Sequence, residues 1–159
     1  MDFDKEQLEK DWDSLLEISE NMTDTTEAVN TLITDIENDL NDLKLGVSVW
    51  CDTQFTIVIS GKEQQFKLGF CKYKYNWRMV CRQIETNGDS EYFVGRMYPI
   101  IESYRIMRLK ACHHIPELIR DMKNKAKGFT SDINDSLQSL RESEMVKSLN
   151  AEKETQTVE

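Results

Sequence analysis

The sequence predicts an α+β domain in which an acidic helical pair is followed by a four- to five-stranded antiparallel meander and two C-terminal helices. The spacing of apolar residues indicates this order: it is helical up to Leu43, alternates from Gly46 to Val94, and is helical again after Pro99. A length of 159 residues suits one domain with its own core. We therefore expect a single domain over residues 1–150.

Residues 1–44 are predicted to form an acidic helical arm. Apolar residues recur at alternating steps of four and three, which indicates an amphipathic helix. They are Leu8, Trp12, Leu15, Met22, Val29, Ile33, Ile36, Leu40 and Leu43. Asp24 offers a capping side chain with Glu27 three positions later, as at the start of a new helix. The apolar residues Leu16, Ile18 and Leu32 widen the face, so two packed helices are expected rather than one rod.

Residues 45–95 are predicted to form the sheet, because apolar and polar residues alternate along them. The predicted strands cover residues 47–51, 55–59, 66–74 and 77–85, and a fifth over residues 91–94 would extend the meander. Turn residues separate the later strands at Ser60-Gly61-Lys62, near Tyr75-Asn76 and at Asn87-Gly88-Asp89. Phe66, Leu68 and Phe70 share one face of their strand and are expected in the core.

Residues 96–150 are predicted to hold the C-terminal helices. The first has apolar residues at helical spacing from Tyr104 to Met122 and is expected to end at Lys127-Gly128. Pro116 should kink or divide it, because proline lacks a backbone donor. A further helix is expected to start near Thr130 and to carry Ile133, Leu137 and Leu140 on one side. Residues 151–159 lack an apolar pattern and are predicted to be a disordered tail.

Charge is strongly segregated along the chain. Residues 1–43 hold 14 acids and 2 bases, a net charge of −12, whereas residues 44–82 hold 7 bases and 2 acids, a net charge of +5. The whole chain carries −9, which disfavours non-specific attraction to nucleic acid or anionic membranes. The start resembles no secretory signal and no apolar run approaches membrane-spanning length, so we expect a cytoplasmic protein without membrane attachment.

The four cysteines, Cys51, Cys71, Cys81 and Cys112, match no disulfide framework and no zinc-knuckle spacing. We expect buried thiols in a reducing compartment. Cys112-His113-His114 is a candidate for metal or nucleophilic chemistry, with help from Cys71 and Cys81. Neighbouring residues on a helix point about 100° apart, however, which counts against a shared ion. Glu117 with Asp121 is equally well explained as a solvated helix face.

The leading hypothesis is a non-enzymatic protein-binding module, such as an adaptor, a chaperone-like protein or an inhibitor. It depends on the segregated charge and on the absence of any catalytic motif, so we expect no enzyme, metal or cofactor. The expected partner is a protein with a basic surface, and a homodimer is an open alternative. The predicted partner-binding residues are Asp11, Asp13, Glu17, Asp35, Asp39 and Asp42.

Two alternatives involve different chemistry. One is a nucleic-acid-linked regulator, acting by mimicry of DNA through the acidic arm or by direct binding through the basic and aromatic segment 62–82. The residues of that alternative surface are Lys72, Lys74, Tyr75, Arg78 and Arg82. Strand alternation makes neither face cleanly basic and aromatic, which disfavours nucleic-acid binding. The other alternative is a small enzyme with an unrecognised site near Cys112.

Overall fold

The chain runs from one long helix through a curled antiparallel sheet to two further helices in the computed structural model, which describes residues 5–142. The helices are α1 (Lys5–Asp42), α2 (Arg105–Cys112) and α3 (Ile115–Glu142), and Ile100–Glu102 forms a 3-10 turn. The strands are β1 (Val49–Trp50), β2 (Phe55–Ile59), β3 (Lys62–Tyr73), β4 (Asn76–Asn87) and β5 (Ser90–Pro99). This order confirms the predicted α+β class. The tail predicted over residues 151–159 lies outside the described residues.

The N-terminal helix continues through Asp24 without a break, so the predicted helical pair is wrong. Threonine hydroxyls inside the helix donate to the backbone carbonyl four residues earlier, at 2.6 to 3.0 Å. They belong to Thr23, Thr26, Thr31 and Thr34. A hydroxyl bonded in this way is satisfied inside the helix, so this polar stretch is compatible with an unbroken helix although it resembles a capping site.

The sheet is a meander whose first edge is interrupted. Both β1 and β2 pair antiparallel with β3, with Val49 opposite Phe70 and Phe55 opposite Phe66. The chain bends between them at residues 52–53, where turn residues break the alternation. β3, β4 and β5 follow as successive antiparallel neighbours. The predicted fifth strand is present and is longer than expected, because it extends to Pro99.

One face of this sheet is covered by the helices and forms the core. Phe66, Leu68 and Phe70 are buried there as predicted. The helices contribute Ile33 and Leu40 from α1, Met107 and Ala111 from α2, and Ile115, Leu118 and Met122 from α3. The core thus joins the last third of α1 to the beginning of α3.

The C-terminal helices divide earlier than predicted. A break at His113-His114 separates α2 from α3, and Pro116 lies in the first turn of α3, where a missing donor costs nothing. α3 then continues through Gly128, so the predicted boundary at Lys127-Gly128 is wrong. A glycine in an exposed helix costs about 1 kcal/mol relative to alanine, which is too little to end a helix of 28 residues.

Glu37 ties the acidic helix to the basic sheet. Its Oε1 accepts a hydrogen bond from Arg78 Nε at 2.6 Å, and its Oε2 accepts one from the backbone N–H of Met79 at 2.8 Å. Arg78 also pairs with Glu102 at 3.5 Å, and Asn41 donates to the carbonyl of Trp77 at 3.0 Å. An acid of the helix and a base of the sheet therefore pair with each other within the protein.

Replacing Glu37 by alanine should lower the free energy of unfolding by about 2 kcal/mol, because it leaves a strand N–H and a guanidinium without their acceptor. Urea unfolding followed by circular dichroism measures the change. Glu20→Ala is the matched control, since Glu20 lies on the same helix and is exposed. Equal stability of the two variants would contradict the role assigned to Glu37.

Candidate functional site

The first half of α1 presents an apolar stripe to solvent. Residues 9–25, called here the outer half of α1, are all exposed, whereas Ile33 and Leu40 further along the same stripe are buried. The exposed fractions are 61% for Trp12, 58% for Leu15, 51% for Ile18 and 48% for Met22. Leu16 and Leu32, which we expected to pack between helices, are also about half exposed. The single stripe seen in the sequence therefore has a core part and a surface part.

The six acids predicted to bind a partner are all exposed, but they form two groups. Asp11, Asp13 and Glu17 lie on the outer half of α1, where helical spacing places Asp13 and Glu17 on the side opposite the apolar stripe. Asp35, Asp39 and Asp42 lie on one side of the part that covers the sheet. At a rise of 1.5 Å per residue, Glu17 and Asp35 are roughly 27 Å apart along the helix. The structure does not bring the six together into one site.

A shallow apolar groove adjoins the outer half of α1. Ile18 and Met22 form one wall, and Arg105 and Leu109 of α2 form the other, enclosing about 290 Å³. The groove is open to solvent, and its lining is mostly apolar with one guanidinium at the edge. An elongated apolar side chain from another molecule fits such a surface better than a small polar ligand does.

A second exposed stripe lies on the last part of α3, where residues 127–142 are all exposed. Its members are Phe129, Ile133, Leu137 and Leu140, each about half exposed. The stripe continues into a groove of about 370 Å³ that reaches Leu43 and Leu45 after α1, with Lys123 and Lys127 at its rim. The molecule thus carries one apolar stripe on an acidic helix and another that leads into a lysine-rimmed groove.

Two of the five residues of the alternative surface are engaged within the protein. Arg78 is bound by Glu37, and Arg82 lies over the ring of Phe93 at 5.3 Å and donates to the carbonyl of Gly95 at 3.3 Å. The exposed members, Lys72, Lys74 and Tyr75, lie at or beside the turn between β3 and β4. The five residues do not form a continuous surface.

The predicted chemistry around Cys112 is not assembled. Cys112 shares the core region with Cys81, but Cys71 lies outside that core, where its thiol meets Met97 Sδ at 3.6 Å. Burial raises the pKa of the Cys112 thiol above its usual range, which disfavours the thiolate that a nucleophile requires. His113 is exposed and lies in the break between α2 and α3.

A different group of ligating side chains meets where β1 ends and α3 begins. Single donor atoms of Cys51, Glu117 and Asp121 lie within 4.8 Å of one another. His114 adjoins them: its Nδ1 is 3.5 Å from Glu117 Oε2 and 2.9 Å from the hydroxyl of Thr53. The spacing of Glu117 and Asp121 is a partial signal in the sequence, because residues four apart share a helix face. Nothing in the spacing pointed to Cys51.

The protonation states of this group follow from its surroundings. Burial, together with the charges of Glu117 and Asp121, raises the pKa of the Cys51 thiol to about 12. The thiol lies 3.6 Å from the carbonyl of His114, to which it donates. Burial opposes ionisation of Glu117, but hydrogen bonds from Thr53 and His114 outweigh it and hold the pKa of that carboxyl below its usual range. A neutral thiol therefore faces carboxylates.

Comparisons with protein-family models, with curated proteins and with solved structures found no match to this chain. Among the described residues 5–142, no helix is both long and apolar enough to cross a membrane. Function must therefore be inferred from the surfaces and side-chain groups described above.

Proposed function

We propose that this chain is a non-enzymatic protein-binding module whose outer half of α1 docks an amphipathic helix of a basic partner protein. The observation that carries this proposal is the stripe of Trp12, Leu15, Ile18 and Met22, which continues a core stripe but is about half exposed or more. Contiguous apolar patches on a folded protein commonly mark interaction sites.

The shape of the surface favours a helix as the bound element. The stripe repeats at helical steps along about three turns of α1, and the groove against α2 extends it sideways at Ile18 and Met22. A partner helix with apolar residues at matching steps can bury its own stripe there, which is a common mode of peptide recognition. Trp12 offers the large aromatic contact that such interfaces often depend on.

The charge of the surface favours a basic partner. Residues 9–27 contain seven acids and one lysine, so this part of α1 is strongly acidic. A second acidic helix laid alongside would be repelled, whereas lysines or arginines beside an apolar stripe would be attracted. Such charges set the association rate and the choice of partner more than the final affinity.

The docking proposal is tested with two fluorescent helical peptides that share a leucine stripe, one carrying lysines at its flanks and the other glutamates. We expect the lysine peptide to bind at least tenfold more tightly, with an affinity that falls as salt rises. Leu15→Asp combined with Met22→Asp should weaken its binding at least tenfold. Val58→Asp, at a comparably exposed apolar residue of β2, should not.

Equal binding of the two peptides, or unchanged binding by the double variant, would overturn the proposal. A chain lacking residues 1–24 provides a further control, because residues 9–24 are all exposed. It should stay folded and lose the peptide. The same pair of proteins, intact and truncated, can then be compared in affinity purification to identify the natural partner.

Self-association is the second candidate function, and the stripe on α3 favours it. The lysine-rimmed groove beside Leu43 and Ile119 is complementary in charge to the outer half of α1. Sedimentation over a range of concentrations distinguishes this case. A dimer that dissociates when Lys123 and Lys127 are replaced by glutamate would make a second copy the occupant of the groove, and a monomer at all concentrations would exclude it.

A further inference from the structure

We propose that Cys51, Glu117 and Asp121 form a binding site for a divalent metal ion of the zinc class, with His114 as an adjacent donor. This inference is independent of the docking surface. It depends on the spacing of the donor atoms, on the contacts that hold the donor side chains, and on the kinds of ion that bind sulfur and oxygen together.

The three donors come from two elements that the core fixes relative to each other. Cys51 follows β1, is 1% exposed, and donates its backbone N–H to the carbonyl of Leu68 at 2.9 Å. Glu117 and Asp121 lie one turn apart on α3, so their carboxylates point to the same side. Leu118, between them, is fully buried in the core and anchors this part of the helix.

The spacing of the donors is close to what an ion needs. Their atoms lie within 4.8 Å of one another, and ligands about 2.0 to 2.3 Å from a tetrahedral zinc are about 3.5 Å apart. Closing the difference requires a movement of about 1 Å. Asp121 can supply much of it, because its side chain is 25% exposed and its pairing with Arg120 is long, at 4.0 Å.

Glu117 is held by hydrogen bonds from its neighbours, as the carboxylate ligands of metal ions usually are. The backbone N–H of Thr53 donates to Oε1 at 3.0 Å, and the Thr53 hydroxyl donates to Oε2. Oε1, which accepts one hydrogen bond from Thr53, retains a second lone pair for an ion. His114 is fixed in turn by Thr53 and by stacking on the ring of Phe55, with centroids 5.3 Å apart. Such outer contacts orient metal ligands and tune their affinity.

The mixture of donors selects the class of ion. Magnesium and calcium prefer sites built of oxygen alone, so a buried sulfur among the ligands disfavours them. Zinc accepts sulfur, nitrogen and oxygen together, and cobalt(II) commonly reports on the same kind of site. Three protein ligands, with His114 beside them, leave room for either a fourth protein donor or a water molecule on the ion.

Cobalt(II) and zinc titrations of the purified full chain test the proposal. We expect one cobalt per chain, with the near-ultraviolet absorption of a cobalt–thiolate bond, and its displacement by zinc. Cys51→Ser should abolish that absorption and weaken zinc binding at least a hundredfold, and Asp121→Asn should weaken zinc binding about tenfold. Cys71→Ser is the matched control, a buried cysteine outside this core, and should retain both properties.

Three results would overturn the proposal: no thiolate absorption in the unmodified chain, absorption that survives in Cys51→Ser, or zinc affinity unchanged in Asp121→Asn. Circular dichroism of each variant shows whether it is folded. If Cys51→Ser does not fold, Asp121→Asn still decides the outcome, because its side chain lies at the edge of the core. Peptide binding by the outer half of α1 is measured separately, so failure of one proposal leaves the other distinguishable.

Discussion

Replacing Ile33 by aspartate is expected to leave most of the chain unfolded, whereas the same change at Leu15 should alter the free energy of unfolding by less than about 0.5 kcal/mol. Both residues belong to the same 4-3 stripe of α1. Ile33 is 1% exposed and Leu15 is 58% exposed. Burying a carboxylate without a partner costs several kcal/mol, and the isoleucine contacts are lost as well.

This expected loss of more than about 4 kcal/mol is comparable with the total stability of a small domain. Urea unfolding followed by circular dichroism and by tryptophan fluorescence measures it for both variants. If Leu15→Asp proved as damaging as Ile33→Asp, the outer half of α1 would have to be covered by the protein's own core. Its assignment as a docking surface would then fail.

The amphipathic pattern of α1 allowed the helix to be predicted from the sequence, but not which part of its apolar stripe is buried. The alternating steps of four and three correctly predicted a helix, because burial on one side imposes that spacing. The same spacing of apolar residues occurs in a stripe that packs on the core and in a stripe that binds a partner. The two halves differ in burial, which along α1 begins at Thr26 and is absent from residues 9–25.

The errors at Asp24 and Gly128 have one physical cause. Capping residues and glycine favour a helix end, but each effect is about 1 kcal/mol. Packing of Ile33 and Leu40 on one helix, and of Leu118 and Met122 on another, involves larger energies and stabilises helices that continue past such signals. Local signals therefore indicated helix in the right regions of the chain but not where each helix begins and ends.

The group around Cys51 could be predicted only in part. The spacing of Glu117 and Asp121 indicates that their side chains share a helix face. Cys51 joins them through the pairing of β1 with β3 and the packing of α3 on that strand, which are contacts between residues far apart in the chain. The same long-range arrangement places Cys81 in the core and Cys71 outside it.

Another large effect on stability is expected at Gly69, on the second face of the sheet. Trp50 lies over this glycine, so a Cβ built at residue 69 would be 2.5 Å from the indole ring. The indole is held in place by the ring of Phe93, with centroids 4.5 Å apart. A small residue is therefore needed opposite Trp50 in the pairing of β1 with β3.

Gly69→Val should lower the free energy of unfolding by about 3 kcal/mol, because the indole must move and lose its contact with Phe93. Gly128→Ala is the matched control: a Cβ there meets nothing within 4 Å, and the helix should gain about 1 kcal/mol. Chemical unfolding of both variants measures these opposite changes.

If Gly69→Val were as stable as the unmodified chain, Trp50 would have to be free to leave the sheet, and its contact with Phe93 would not restrain β1. Because Cys51 follows Trp50 directly, a displaced indole should also weaken cobalt binding at Cys51, which links this structural test to the proposed metal site.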